Sequence, residues 1–162
     1  MMRSVSKRTK ALTFAALVVG IFVVGATTSR YQFGVNLSES LSDWGYLVDT
    51  ENTAPVRGDY VQFFPIPNRF YPSSTPFVKR VAGVPGDEVR LVGRDVFVAG
   101  RFVGRAKPVA RDGRPLKPTA QGIIPAGRYF VVGDHVDSYD SRYADIGWVR
   151  RDRIRGVARP VM

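Results

Sequence analysis

The sequence of 162 residues contains no cysteine and only one histidine. The lack of cysteine excludes a disulfide scaffold, a thiol nucleophile, a cysteine-ligated zinc site and an iron–sulfur cluster. A single histidine excludes metal sites built from several histidines, so no metal site is expected. Any chemistry must therefore depend on hydroxyl, amine and carboxyl groups.

Acidic residues are also few: the sequence has 14 Asp and Glu against 24 Lys and Arg, which gives a net charge of +10. This excess suggests nucleic acid, an anionic membrane surface or acidic partners. The length fits one compact domain, and a hydrophobic fraction of 44% excludes disorder of the whole chain. With 23% charged residues, a membrane protein of many spans is excluded as well.

The N-terminus combines a basic leader, residues 1–10, with an uncharged stretch, residues 11–29. At ~1.5 Å per residue, that stretch approaches the ~30 Å of a bilayer core. We expect this stretch to form a single transmembrane helix. The alternative is a cleavable signal peptide, because the small residues Val24, Gly25 and Ala26 could flank a cleavage site. Either way, residues 30–162 form an exported domain beyond the membrane, and export argues against a nucleic acid partner.

From residue 33 onward, short β-branched and aromatic runs alternate with Gly, Pro and Asp, without sustained helical periodicity. This pattern predicts an all-β domain of antiparallel sheet. The predicted strands are residues 45–48, 59–64, 76–81, 88–92, 95–98, 101–104, 128–132 and 153–158. Gly93-Arg94 and Ala99-Gly100 predict hairpin turns of a meander over 88–104, and Pro85-Gly86 suits a type II turn. Residues 65–74 and 106–121 are expected to be surface loops.

Three segments contain candidate chemical groups: serines within 36–42, Lys79 in the run 77–87, and an Asp/Ser-rich stretch at 133–143. Each has a plain structural alternative, namely a polar linker, a lysine on a solvated strand face, and a turn with an Asp140–Arg142 ion pair. A buried lysine beside a hydroxyl could instead be a general base, because desolvation lowers its pKa. His135 is not expected to be a triad base, since nothing near it resembles a nucleophile elbow.

Taken together, the segments resemble a known family. The run KRVAGVPGD at 79–87 and SYDSR at 138–142, after a basic leader, an apolar segment and a nearby serine, resemble type I signal peptidases, which are Ser/Lys serine proteases. The similarity extends from the apolar segment to Val157. The short chain and the start N-x-S-x-S at Asn36 are most similar to the conjugative-transfer branch, whose members process a pilin precursor.

The resemblance implies that Ser40 is the nucleophile and Lys79 the general base. It places Ser38 in the oxyanion hole, where its hydroxyl acts with the backbone N–H of Ser40. Ser42 stands where the family usually has proline, so Ser42 is an alternative nucleophile. The spacing to Leu41 and Tyr46 favours Ser40.

The resemblance also implies supporting residues. Ser138 matches the serine that hydrogen-bonds the lysine amine, and Asp140 matches a carboxylate to which we assign an orienting role through Arg80 or Arg142. Trp44 and His135 depart from the usual glycine and asparagine.

The expected protein is thus a single-pass endopeptidase of the cytoplasmic membrane, with its catalytic domain on the periplasmic side. It would cleave a pilin-like precursor, with or without cyclisation, and need no cofactor. The aromatic loop 63–71 is expected to lie against membrane lipid. The alternatives are a housekeeping signal peptidase and a non-catalytic, membrane-tethered β adaptor of a secretion or conjugation apparatus.

Overall fold

The computed structural model describes Gly25, residues 30–36 and residues 40–161. The predicted leader (1–10) and, apart from Gly25, the predicted transmembrane segment (11–29) lie outside the described residues. In the part of the chain that is described, no helix is long and apolar enough to cross a membrane.

The described residues form two antiparallel sheets, which confirms the predicted all-β domain. The strands are β1 (Tyr31–Val35), β2 (Gly45–Asp49), β3 (Tyr60–Phe63), β4 (Phe77–Gly83), β5 (Glu88–Val92), β6 (Asp95–Val98), β7 (Arg101–Arg105), β8 (Gly122–Ile123), β9 (Arg128–Val132), β10 (Val149–Arg150) and β11 (Ile154–Pro160). A 3₁₀ turn at Arg151–Arg153 precedes β11. The larger sheet has the order β1-β2-β11-β3-β4-β9-β10, and the smaller has the order β7-β6-β5-β8.

The predicted turns have the backbone conformations that their residues favour. Ala99 and Gly100 both have positive φ, +48° and +74°, as a two-residue hairpin turn of type I′ requires. Gly86 has φ +92°, and Asp87 N donates to Val84 O at 3.1 Å. The meander over 88–104 and the turn at Pro85-Gly86 are thus confirmed.

Three strands were not predicted, namely β1, β8 and β10. Strands β8 and β10 have two residues each, too few for a recognisable alternation. In β1, the three large side chains Tyr31, Phe33 and Val35 are all exposed, so this strand does not direct its apolar side chains toward the core.

The interpretation of 106–121 as a surface loop was wrong for three of its residues, because Ala106, Leu116 and Thr119 are buried. Arg94 explains the burial of the first two: its guanidinium donates to the carbonyls of Ala106 at 2.6 Å and Leu116 at 2.9 Å. These bonds hold residues 106–116 against the smaller sheet. The whole segment, residues 106–121, is called the strap hereafter.

The core covers both faces of the strands that support the candidate site. Phe130 and Val132 pack in one hydrophobic cluster with strands of the smaller sheet, while Val131 packs in a second cluster with Val61 and Phe63. Because successive side chains point to opposite faces, β9 is enclosed on both sides. A strand packed in this way holds the loop that follows it, residues 133–143, in one position.

Candidate active site

Lys79 lies in β4, between β3 and β9, and is only 5% exposed. The alternative of a solvated lysine is therefore wrong. Burial lowers the pKa of the Lys79 amine from 10.5 to about 8, Asp140 opposes this change, and Arg142 adds to it. A lysine amine with such a pKa is partly neutral near physiological pH and can accept a proton.

Asp140 organises the loop that follows β9. Its carboxylate accepts hydrogen bonds from Gly133 N at 2.9 Å and from Arg142 Nε at 2.9 Å and Nη2 at 2.8 Å. Arg142 also donates to Ser138 O at 3.1 Å. The side chains of Asp140 and Arg142 are 0% and 3% exposed, so this ion pair is enclosed by protein. Of the two arginines proposed to act with Asp140, Arg142 is its partner, whereas Arg80 pairs with Asp134 at 2.9 Å.

Ser40 is attached to this same loop. Its carbonyl accepts hydrogen bonds from Asp134 N at 2.8 Å and His135 N at 3.3 Å. Ser40 is 6% exposed, so it is not part of a solvated polar linker. Ser42, by contrast, is exposed and lies 3.4 Å from the Asp43 carboxylate.

Gly133 permits the close approach of Ser40 and Ser138. A Cβ atom on Gly133 would lie 2.2 Å from Ser138 Oγ and 2.7 Å from Ser40 O, which are impossible contacts. The φ of Gly133 is not in the left-handed region, so packing and not backbone conformation requires glycine here. The motif Gly-Asp directly after a strand was the sequence signal for this position, although its packing role was not predicted.

Ser138 is 3% exposed, and its Oγ has no hydrogen-bond partner within the described part of the chain. The expected hydrogen bond to the Lys79 amine is thus not formed in this structure. Tyr46, which is 0% exposed, has an equally unpaired hydroxyl among these residues. Burial raises the pKa of Tyr46, so this hydroxyl stays protonated at physiological pH.

Leu41 and Val78 connect the two candidate catalytic residues through packing. Leu41 follows Ser40, Val78 precedes Lys79, and both belong to one buried cluster that includes Tyr46. Ser38, expected in the oxyanion hole, lies outside the described residues together with Leu37 and Glu39.

His135 has a structural role in the same loop. Its Nδ1 accepts a hydrogen bond from Asp137 N at 3.1 Å, and Asp137 pairs with Lys107 and Arg111 of the strap. Among the described residues, no group of three or more His, Asp or Glu is placed to hold a metal ion. The arrangement offers a buried amine, several hydroxyls and a fixed loop, which are the elements of acyl transfer by a serine.

Comparison with known proteins agrees with this chemistry. The family profile described as signal peptidase, peptidase S26, matches residues 5–162. The conjugal transfer protein TraF of Agrobacterium fabrum is 30% identical over 165 residues, covering 89% of this chain and 91% of that protein. The TraF of Agrobacterium tumefaciens is 28% identical over 93% of this chain and 92% of its own length.

A third protein is similar over a shorter region. The probable signal peptidase I-2 of Synechocystis is 36% identical over 112 residues, 64% of this chain and 46% of that protein. This chain thus spans nearly all of the TraF proteins and about half of the Synechocystis protein. The chain belongs to the peptidase S26 family of signal peptidases and is a serine peptidase of that type.

Proposed function

We propose that the protein is a membrane-anchored Ser/Lys endopeptidase that removes the leader segment of an exported precursor. Ser40 is the nucleophile, Lys79 is the general base, and the site lies on the periplasmic side of the cytoplasmic membrane. The observation that carries the proposal is the buried amine of Lys79, with a pKa of about 8, in the strand beside the loop that binds the Ser40 backbone.

In the first half-reaction, Ser40 Oγ attacks the scissile carbonyl carbon while Lys79 Nζ accepts the hydroxyl proton. The oxyanion is stabilised by Ser40 N–H and the Ser38 hydroxyl; loss of one such donor typically lowers the rate by ~10²–10³. The C–N bond then breaks, Lys79 returns the proton to the leaving amine, and an acyl ester remains on Ser40.

In the second half-reaction, Lys79 accepts a proton from water as the water attacks the ester carbonyl. The ester C–O bond breaks, Ser40 recovers its proton, and the leader leaves with a new carboxylate. The enclosed Asp140–Arg142 pair keeps residues 133–143 fixed during both steps, so the Ser40 backbone does not have to be reorganised.

The substrate that we propose is a pilin precursor of a conjugation system. The similarity to TraF proteins over about nine tenths of both chains supports this choice. Cyclisation requires a cut at the C-terminal end of the pilin body, so that a C-terminal segment leaves as the amine and the ester on Ser40 holds the body. The amine at the body's own N-terminus can then attack that ester in place of water. That step forms an amide, releases Ser40 and gives a cyclic product, lighter by one water than the linear product.

A housekeeping role is the second candidate, because identity to signal peptidase I-2 reaches 36% over 112 residues. Its mechanism is the same and its precursors are more diverse. A pilin-type and a general secretory precursor therefore distinguish the two candidates when both are offered to the same enzyme.

The test is co-expression of each precursor with the wild type and with Ser40→Ala, Ser42→Ala and Lys79→Ala, followed by intact mass measurement. We expect Ser40→Ala and Lys79→Ala to abolish processing and Ser42→Ala to retain it, since the two serines differ in burial. Processing that survives Ser40→Ala but not Ser42→Ala would assign the nucleophile to Ser42. Failure of the wild type to cut either precursor would favour the adaptor role.

We also propose that the face near Ser40 contacts lipid. Trp44, which follows Ser40 by four residues, is 53% exposed, and Phe33 of β1 is 55% exposed. Of the loop 63–71, Phe63 is fully buried and Phe70 packs edge-on against Tyr139, whereas Tyr71 is 43% exposed. Tyr71 is therefore the aromatic residue of that loop best placed to reach the membrane.

A further inference from the structure

A small cavity lies between residues 63–66 and β10, and neither Ser40 nor Lys79 lines it. Its volume is about 120 Å³, and Phe63, Ile146 and Val149 contribute apolar lining. An apolar cavity of ~150 Å³ can hold benzene, so this one has room for a short piece of hydrocarbon. Arg128, Arg150 and Arg153 line the same cavity, which therefore offers cations beside apolar surface.

The cavity continues into a shallow cleft. Phe64 and Arg153 line both, and Arg155 joins them in the cleft, where its guanidinium lies 5.9 Å from the centre of the Phe64 ring. We call the cavity and the cleft together the arginine groove. Its four arginines face a single lining carboxylate, that of Asp152, which pairs with Arg150. The groove therefore has an excess of positive charge.

The groove begins close to the point where the chain enters the domain. Arg155 Nε donates to Gln32 Oε1 at 2.7 Å. Gln32 lies in β1, two residues after Arg30, the first charged residue after the uncharged stretch 11–29. If that stretch spans the bilayer, as the proposed function requires, the Arg155 end of the groove lies near the lipid headgroups.

We propose that the arginine groove binds an anionic phospholipid of the bilayer. The guanidinium groups of Arg128 and Arg153 bind the phosphate, for which arginine offers a planar pair of donors, and the cavity receives part of an acyl chain. A nucleic acid or an acidic peptide would need the charge but not the apolar cavity. The bound lipid would orient the domain on the membrane and present the candidate active site to a membrane-bound precursor.

The test measures lipid retained by the full chain in neutral detergent micelles, with phosphatidylglycerol or phosphatidylcholine added, by native mass spectrometry. The test variant is Arg128→Gln/Arg153→Gln. The control is Arg90→Gln/Arg101→Gln, which removes the same charge from exposed positions of the smaller sheet. One arginine at an anionic surface contributes about fivefold, so we expect a roughly 25-fold loss of phosphatidylglycerol in the test variant and less than a twofold change in the control.

The single variant Arg128→Gln guards against misfolding, because the Arg128 side chain donates no hydrogen bond within the described part of the chain. We expect a fivefold loss of phosphatidylglycerol for this variant. The proposal would be overturned if both double variants lost phosphatidylglycerol to the same extent. It would also be overturned if the wild type retained as much phosphatidylcholine as phosphatidylglycerol. Displacement of the lipid by millimolar glycerol phosphate would also overturn it, because phosphate alone would then be recognised. Lipid retention requires no cleavage, so inactivity toward every precursor would count against the proposed function and not against the groove.

Discussion

Asp140 and Arg142 form a doubly hydrogen-bonded ion pair in which both side chains are almost completely removed from solvent. The same carboxylate accepts the Gly133 N–H at 2.9 Å, and the next residue, Asp134, donates its N–H to the Ser40 carbonyl. The ion pair is thus connected to the proposed nucleophile through two hydrogen bonds and the peptide link between Gly133 and Asp134. A change at Asp140 should therefore affect both stability and activity.

Asp140→Asn tests this connection. Asparagine keeps the shape but leaves the buried Arg142 guanidinium without a counter-charge, so we expect a loss of about 3–5 kcal/mol in the free energy of unfolding. Urea unfolding measures it. The control is Asp152→Asn, which breaks the exposed pair with Arg150 and should cost less than about 1 kcal/mol. Equal small losses in both variants would show that the buried pair does not hold the loop.

Lys79→Met should abolish processing and yet stabilise the fold. With a pKa of 10.5 unfolded and about 8 folded, the unfolded chain binds the proton more tightly, so folding at pH 7 carries a penalty of roughly 3 kcal/mol that methionine removes. The penalty is fully present below pH 8 and disappears as the pH rises to 10.5. The measurement is the free energy of unfolding of the wild type and of Lys79→Met at pH 7 and at pH 10.5. If the two proteins differ by the same free energy at both pH values, the low pKa of Lys79 is contradicted.

The rate of cleavage should depend on pH through the same amine. In the proposed mechanism only the neutral form of Lys79 accepts the Ser40 proton, so kcat/KM for a soluble precursor peptide should rise about tenfold per pH unit and level off above a pH of about 8. Ser42→Ala serves as the control and should give the same profile. A half-maximal rate near pH 10.5 would mean that the amine acting as base is exposed to solvent.

Residues with a local sequence signal were predicted well. The turns at Gly86 and Ala99-Gly100 follow from the φ values that these residues adopt, and the meander over 88–104 follows from the turns. Lys79 and Ser40 were proposed as catalytic residues from the family resemblance alone. The burial of Lys79 could not be predicted from the strand pattern, because it depends on which residues pack over the strand. The burial of Ala106 and Leu116 was not predictable, since it depends on Arg94 donating to carbonyls 12 and 22 residues further along the chain.

Tyr71→Ser tests the proposed contact with lipid. Tyr71 is 43% exposed and packs edge-on against Phe77, 5.1 Å between ring centres. We expect processing of a membrane-bound precursor to fall several-fold more than cleavage of a soluble peptide, because only the former depends on docking to the bilayer. Phe102→Ser, at an exposed position of the smaller sheet, is the control and should affect neither substrate. Equal losses with both substrates would assign Tyr71 a role in the site itself.

Gly133→Ala tests whether close packing at the end of β9 sets the position of Ser40. The added methyl group would overlap Ser138 Oγ and the Ser40 carbonyl, and neither the backbone oxygen nor the enclosed serine can move away freely. Displacement of Ser40 should lower kcat by at least ~10², as misplacement by ~1 Å does in other enzymes, with KM much less affected. Gly34→Ala is a matched control, because its new methyl would meet the flexible end of Gln62 at 2.9 Å. If Gly133→Ala retains full kcat, the loop 133–143 does not position the nucleophile, and the proposed role of the Asp140–Arg142 pair in catalysis fails with it.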